Sequence, residues 1–143
     1  MNRNSIKIFS QKYPIYAECG GMMLLGESIF DIEGKEYSMA GILPFKAKKG
    51  NLKIGYREAT SKNKSPITTL GSKLIGHEFH RWEIINERYN SKINPLWDLK
   101  GWNIKIKNEG FCNHLIHASW VHLHWASSPL ILENWKRSVM NKV

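Results

Sequence analysis

Cys19 lies where a short apolar stretch gives way to two glycines and then to a second apolar stretch. Residues 15–18 predict a buried strand and residues 21–29 a helix, so the chain must turn sharply at the cysteine. A side chain on such a turn stands out from the edge of a sheet. The small neighbours Gly20 and Gly21 let the backbone of another molecule approach it closely. The segment therefore predicts an α/β fold that presents a thiol.

The surroundings of this thiol suggest nucleophilic chemistry. The helix after the turn directs its N-terminal amides at the sulfur, and this arrangement favours the thiolate. Far along the chain, residues 118–125 form a strand-like stretch that carries His122 and His124. A cysteine and a histidine from distant strands are the components of a thiol nucleophile site. The structural alternative is a small buried cysteine at a tight turn and a hydrogen-bonded histidine in an aromatic strand.

Four sequence blocks, which together span most of residues 14–129, share a resemblance to one family. They are residues 14–23, residues 39–44 with 55–59, residues 76–80 and residues 118–127. In sequence and in order they resemble the glutamine amidotransferase domain of cobyrinic acid a,c-diamide synthases, a CobB/CobQ-type class I amidotransferase. The resemblance implies that glutamine is the substrate. It also implies that a cysteine attacks the glutamine side-chain amide after activation by a histidine.

The resemblance assigns roles around the thiol. Cys19 corresponds to the nucleophile and His122 to the catalytic histidine, whereas strand periodicity alone does not separate His122 from His124. Gly20, with Gly21 beside it, would supply one arm of an oxyanion hole. His124 stands where many class I relatives carry the glutamate that orients the histidine, so the third member of a triad is open. We interpret Glu18 as a carboxylate at the end of a strand, packed by its neighbours.

Further candidates for substrate support come from the two middle blocks. Arg57 can bind a carboxylate through two hydrogen bonds, although a structural ion pair explains an arginine there equally well. His77, Glu78 and His80 invite a metal site, but ligands at these spacings in a strand point to both faces. We therefore expect a scaffold or glutamine-pocket role for His77 and His80, and no metal.

The same family contains parts that residues 1–143 do not match. In it, the first strands of the sheet and a glycine-rich loop with the second oxyanion amide precede the nucleophile segment, and an ATP-dependent ligase domain precedes both. The resemblance thus implies a flavodoxin-like class I amidotransferase sheet, of which this chain is the C-terminal portion with added antiparallel strands. We expect a partial amidotransferase domain over residues 1–143. The N-terminal half-domain would then be a partner, and ATP and Mg2+ would bind in the ligase domain.

The implied function is the glutaminase part of a cobyrinic or hydrogenobyrinic acid a,c-diamide synthase. Such an enzyme amidates corrinoid carboxylates in cobalamin biosynthesis with ammonia taken from glutamine. A related amidotransferase that acts on cobyric acid or on a cell-wall precursor is the alternative within the fold. An inactive fragment that serves as an interaction module is the alternative outside enzymes. We expect residues 1–143 alone to be nearly inactive.

Composition argues against several other classes of protein. With 42% hydrophobic residues and six tryptophans, the chain has the material for a core. No apolar run approaches the roughly 18 residues of a membrane span, and residues 1–12 lack the centre of a secretory signal. We expect a cytoplasmic protein without a membrane partner. The net charge of +9 comes mostly from scattered lysines and accompanies no nucleic-acid motif, so no nucleic-acid partner is expected.

Periodicity predicts the remaining elements. A helix is expected over residues 2–12 with Asn4 as its cap, and a turn with Gly34 at positive φ. Strands are expected at residues 40–45, 52–59, 73–79, 102–107 and 115–125, with polar loops at residues 62–66 and 90–95. The last helix should begin at Ser128-Pro129 and bury Leu132, Trp135 and Val139.

Overall fold

The turn at Cys19 joins a strand to a helix in the computed structural model, which describes residues 2–102 and 104–140. The chain begins with α1 (Arg3–Ser10), continues through β1 (Ile15–Glu18), and passes Cys19 into α2 (Gly20–Leu25). Cys19 has φ 48° and ψ −110°, outside the regions where a residue with a side chain is relaxed. The predicted strand, turn and helix are therefore confirmed, although α2 ends at Leu25 and not at residue 29.

The cap of α1 differs from the prediction. Asn2, not Asn4, is the N-cap, and its side chain accepts a hydrogen bond of 3.0 Å from the Asn4 amide. Ile6 is buried, whereas Phe9 is about half exposed at 48%. An asparagine in extended conformation just before the first turn satisfies an amide that the helix itself leaves unpaired.

The strands that follow α2 form one mixed sheet. They are β2 (Ser28–Phe30), β3 (Glu36–Ser38), β4 (Lys46–Ser61), β5 (Lys73–Ile85), β6 (Asn94–Gly101), β7 (Ile104–Cys112), β8 (Ile116–Ser119) and β9 (Val121–Leu123). The order is β1-β8-β7-β6-β4-β2-β3, and β5 pairs with β4 and β9. Strands β1 and β8 are parallel, as are β2 and β4, whereas the other neighbours are antiparallel. This is a parallel pair at the nucleophile with added antiparallel strands.

Two predictions along the sheet are wrong. Residues 40–45 are not a strand, because the amides of Ile42 and Leu43 donate to the carbonyl of Leu25 at the end of α2. Residues 94–95, predicted as loop, begin β6. Pro95 is tolerated there because the pairing of β6 with β4 starts only at Trp97. The turn before β3 has Gly34 at φ 80°, as predicted.

The last helix, α3 (Pro129–Met140), presents a different face from the predicted one. Ile131 is its buried residue, whereas Leu132 is 60% exposed. The side chains of Asn134 and Ser138 donate to the carbonyls of Ile67 and Pro66 at 3.2 and 2.8 Å. These bonds turn the face of positions 131, 134 and 138 toward the loop between β4 and β5.

The core beneath the Cys19 turn fixes its position. Met22 and Leu25 of α2 are buried in a cluster with Phe45 and Phe111, whose rings stack at 4.9 Å. Cys19 and Cys112 are both free thiols, and Cys112 is fully buried. Among the described residues, no helix has the length and apolar character needed to cross a membrane.

Candidate active site

The backbone around Cys19 is anchored on both sides. The Cys19 amide donates to the carbonyl of Ser119 on β8 at 2.9 Å, and the Cys19 carbonyl accepts from Met23 at 3.1 Å. A Cβ placed on Gly20 would meet no atom within 4 Å. The turn is thus held rigidly in an uncommon conformation, with open space beside it for another molecule.

The electrostatics of the thiol differ from the sequence-based expectation of a stabilised thiolate. Burial raises the pKa of Cys19, and the charge of Glu18 raises it further, against a hydrogen bond from the Gly20 amide that lowers it. Helix α2 has only six residues, so few aligned peptide dipoles oppose these effects. The resting thiol is therefore favoured, and a nucleophilic role for Cys19 requires a base.

Glu18 connects the nucleophile turn to the strand that carries the histidine. Its Oε1 atom accepts a hydrogen bond of 2.7 Å from the Leu123 amide. Its Oε2 atom lies 3.5 Å from Nδ1 of His122, a side chain that is 44% exposed. The Tyr16 hydroxyl also donates to Oε1. The two segments that the sequence singled out are therefore joined through one carboxylate.

The two candidate histidines differ in their backbone setting. His122 is the central residue of β9 and pairs in register with His77 of β5. His124 lies beyond the end of β9 and precedes a short 3₁₀ turn, Trp125–Ser127. In the sequence, strand alternation placed the two histidines on the same face. In the structure, the strand ends between them, so they are no longer equivalent.

Three of the matched blocks converge on one row of the sheet. Tyr56 of β4 lies opposite His77 of β5, which lies opposite His122 of β9. Directly opposite residues share a face of a sheet, and the rings of Tyr56 and His77 are 5.4 Å apart. Gly76 allows this close pairing, because a Cβ there would stand 2.7 Å from the His122 carbonyl oxygen and 2.3 Å from Val121.

Arg57 and His80 occupy the other, buried face of the same strands. Nε of Arg57 donates to Glu78 at 2.6 Å, and the His80 ring contacts the same carboxylate at 2.8 Å. The His80 ring also stacks on Trp120 at 4.0 Å. Arg57 is only 4% exposed. The geometry is that of the structural ion pair foreseen as the alternative for Arg57, and it separates both side chains from the row that holds His122.

The carboxyl group of Glu78 in this buried cluster has a lowered pKa. Burial alone would raise the pKa of Glu78, but the hydrogen bonds from His80 and Arg57 outweigh it and bring the pKa to about 2. His77 faces away from Glu78 and His80, as strand alternation requires. Over residues 2–102 and 104–140, no group of three or more His, Cys, Asp or Glu side chains has the arrangement of a metal site.

A second buried carboxylate, which the sequence did not single out, supports the junction of β8 and β9. Glu109 accepts hydrogen bonds from the Ser119 hydroxyl at 2.7 Å and from the Trp120 amide at 2.9 Å. The Ser119 hydroxyl in turn accepts bonds from Val121 and Trp97. Burial raises the pKa of Glu109 to about 7. The sequence signal that could have identified Glu109 is its position directly before Gly110 and Phe111, which are both buried.

The comparison with protein families agrees with this geometry. The family model of the CobB/CobQ-like glutamine amidotransferase domain matches residues 1–130. The chain belongs to this family. The roles of Cys19 and His122 as catalytic residues, and of Gly20, Gly21 and His124 as supporting ones, remain predictions for this member of the family.

Curated relatives of this amidotransferase domain carry a common name. This chain is 37% identical over 128 residues to cobyrinate a,c-diamide synthase of Synechococcus sp., and the match covers 88% of this chain and 27% of that protein. It is 33% identical over 143 residues to the protein of the same name from Leptospira interrogans, covering 97% and 31%. The chain therefore spans between a quarter and a third of the length of these relatives.

A solved structure supports the fold. The crystal structure of a glutamine amidotransferase aligns with 94% of this domain and 66% of that chain, with a TM-score of 0.61 and 11% sequence identity. Identity this low speaks to the fold alone. The predicted α/β fold of the class I amidotransferase type is confirmed.

Proposed function

We propose that this domain is the glutaminase part of a cobyrinate a,c-diamide synthase. The observation that carries the proposal is the bridge from Glu18, next to Cys19, to His122 and Leu123 on β9. A nucleophile turn and a histidine strand joined in this way form the basic arrangement of a thiol hydrolase. Family membership supports glutamine as the substrate, and the name shared by the relatives supports the corrinoid acceptor.

The proposed reaction begins with a neutral Cys19. His122 removes the thiol proton, and the sulfur attacks the amide carbon of the glutamine side chain. The carbonyl oxygen becomes an oxyanion, which the Gly20 amide stabilises in this proposal. His122 then protonates the departing nitrogen, so the C–N bond breaks and ammonia leaves. Water, activated by the same histidine, hydrolyses the glutamyl thioester to glutamate and restores the thiol.

The ammonia is used elsewhere in this proposal. A corrinoid carboxylate must be activated before ammonia can displace a leaving group from it, and ATP with Mg2+ supplies that activation in the ligase domain. The amidotransferase domain therefore contributes ammonia, and the remainder of the enzyme contributes the amide-forming site.

One surface suits the rest of the amidotransferase fold. Strand β1 is the first strand of the described sheet, with β8 on one side only. Beside it lies an apolar groove of about 680 Å³, whose lining includes Ile6, Phe9, Ile15, Leu24 and Trp135. Parallel strands are normally covered on both faces and have neighbours on both edges. We therefore place the N-terminal half-domain, on the same or a second chain, at this groove and edge.

The proposal is tested by reconstitution. This chain is combined with the remaining parts of a cobyrinate a,c-diamide synthase, and the products from cobyrinate, ATP, Mg2+ and amide-labelled [15N]glutamine are identified by mass spectrometry. The proposal predicts that both new amides carry the label only when this chain is present. Label in the product without this chain, or no glutamine use with it, would contradict the proposal.

A further inference from the structure

Both carboxylate oxygens of Glu18 contact groups on β9 or beside it. Oε1 accepts from the Leu123 amide at 2.7 Å and from the Tyr16 hydroxyl. Oε2 faces Nδ1 of His122 at 3.5 Å. A carboxylate that merely ended β1 would need none of these contacts, because the register of Glu18 opposite Ser119 already fixes its backbone.

We propose that Glu18 is the positioning residue of the catalytic histidine, so that the orienting carboxylate comes from the nucleophile strand and not from the histidine strand. The proposal rests on the proposed function, because it requires His122 to act as the base for Cys19. It assigns to Glu18 the place in the triad that the sequence left open when His124 replaced the glutamate of many class I relatives.

The backbone of β9 gives the first argument. In the described part of the chain, β9 has a strand partner on one side only, which is β5. On the other side, the Leu123 amide donates to Glu18. The carboxylate therefore takes the place of a neighbouring strand and determines where the residue before it, His122, presents its ring.

The ring itself gives the second argument. With Nδ1 directed at a carboxylate, the neutral ring carries its proton on Nδ1, and Nε2 is left to accept the proton of the thiol. The same carboxylate then stabilises the imidazolium that forms. The separation of 3.5 Å is longer than that of a formed hydrogen bond, and catalytic hydrogen bonds are often long in the free enzyme and shorten when substrate binds.

The surrounding acids give the third argument. Glu78 and Glu109 lie in the buried networks of Arg57 with His80 and of Ser119 with Trp120. In the described residues, Glu18 is the acid whose carboxylate lies beside the His122 ring, 3.5 Å from Nδ1. Burial raises the pKa of the adjacent Cys19 thiol, and the negative charge of Glu18 raises it further. Glu18 thus favours the neutral Cys19 thiol at rest, and its carboxylate faces the ring that is proposed to receive the proton of that thiol.

The variant test uses glutamine hydrolysis by the full enzyme. Glu18→Gln keeps the size of the side chain and an acceptor for the Leu123 amide but removes the charge. We expect kcat to fall by about 10²-fold or more, with KM changed by less than about twofold. Tyr16→Phe is the matched control, because it removes the other hydrogen bond to Oε1 and leaves the His122 contact. We expect its kcat to stay within about threefold of the wild type.

A measurement on the unaltered protein keeps the test independent of folding. At a pH where the ring is neutral, the 15N ring signals of His122, assigned with His122→Asn, should report the proton on Nδ1. A ring protonated at Nε2, or a Glu18→Gln enzyme with unchanged kcat, would overturn the proposal for Glu18 alone. If instead the wild type released no ammonia from glutamine, or Cys19→Ala released it normally, the proposed function itself would fail.

Discussion

His77 of β5 and His122 of β9 lie directly opposite each other, on one face of two neighbouring strands. Their pairing joins sequence blocks that are far apart in the chain, and Gly76 permits the close approach that it requires. On the opposite face of β5, a buried network holds Glu78 between His80 of the same strand and Arg57 of β4. The His122 side chain is therefore 44% exposed on one face, whereas the opposite face of β5 carries a buried ion pair.

The first prediction separates His122 from His124. Loss of a general base typically lowers a rate by about 10²–10⁴-fold, so His122→Asn should reduce glutamine hydrolysis by that order. His124→Asn should cause a smaller loss, because His124 lies outside β9. Steady-state assays of ammonia release by the full enzyme provide the measurement. The opposite ranking would move the role of base to His124.

The second prediction concerns the buried ion pair beneath this row. Arg57→Met removes the partner that lies 2.6 Å from a fully buried carboxylate, and losing one member of such a pair typically costs about 3–5 kcal/mol. Lys100→Met is the control, since Lys100 pairs with Glu58 at 3.0 Å on the surface. That variant should lose less than about 1 kcal/mol. Urea unfolding of the assembled domain compares them, and equal losses would contradict a structural role for Arg57.

The same network has a pH signature. The pKa of Glu78 is about 2 in the folded protein, below the usual value of about 4.3. The stability that its ionised form provides is therefore complete above about pH 5 and is lost as the pH falls toward 2. Arg57→Met should make this loss shallower. If the free energy of unfolding fell equally steeply with decreasing pH in the variant and the wild type, this would count against the pairing of Glu78 with Arg57.

The third prediction concerns Glu109, whose pKa burial raises to about 7. Between about pH 4.3, the usual value of glutamate, and pH 7, the folded protein binds a proton that the unfolded chain has released. Stability therefore falls as pH rises through this range. Glu109→Gln keeps an acceptor for the Trp120 amide and removes the ionisation. The free energy of unfolding of the variant, minus that of the wild type, should be larger at pH 8 than at pH 5. The same difference at both pH values would refute the effect of burial on Glu109.

The fourth prediction tests the groove beside β1. We expect this chain alone to aggregate readily, because the groove and the edge of β1 expose apolar surface. Leu24→Asp places a charge in the groove lining and should weaken association with the N-terminal half-domain by at least about tenfold. Leu132→Asp on α3, at a side chain that is 60% exposed, is the control. Analytical ultracentrifugation of mixtures supplies the affinities, and equal affinities would place the interface elsewhere.

Local sequence signals predicted the nucleophile turn but not the environment of its thiol. The apolar stretches around Cys19 and the glycines after it are enough to indicate a strand, a turn and a helix. The raised pKa of Cys19 depends on burial and on the position of Glu18, which only the folded chain determines. The helical dipole that the sequence suggested is weak because α2 is short.

Long-range contacts explain the other differences. Residues 40–45 have the composition of a strand, but the end of α2 takes their amides. The buried face of α3 is set by bonds to Ile67 and Pro66, and a helical pattern alone does not contain these partners. The contact from Glu18 to Leu123 joins residues 105 positions apart. The role of Glu18 therefore becomes visible only when β1 and β9 are placed together.

The most direct test of the central claim compares two nitrogen sources in the reconstituted synthase. In Cys19→Ala, amidation supported by glutamine should disappear, whereas amidation supported by added ammonium should continue at the wild-type rate, because the proposal assigns amide formation to a separate ligase domain. Cys112→Ala, at the buried thiol, should retain both. A Cys19→Ala enzyme that still used glutamine at the normal rate would contradict the assignment of Cys19 as the nucleophile.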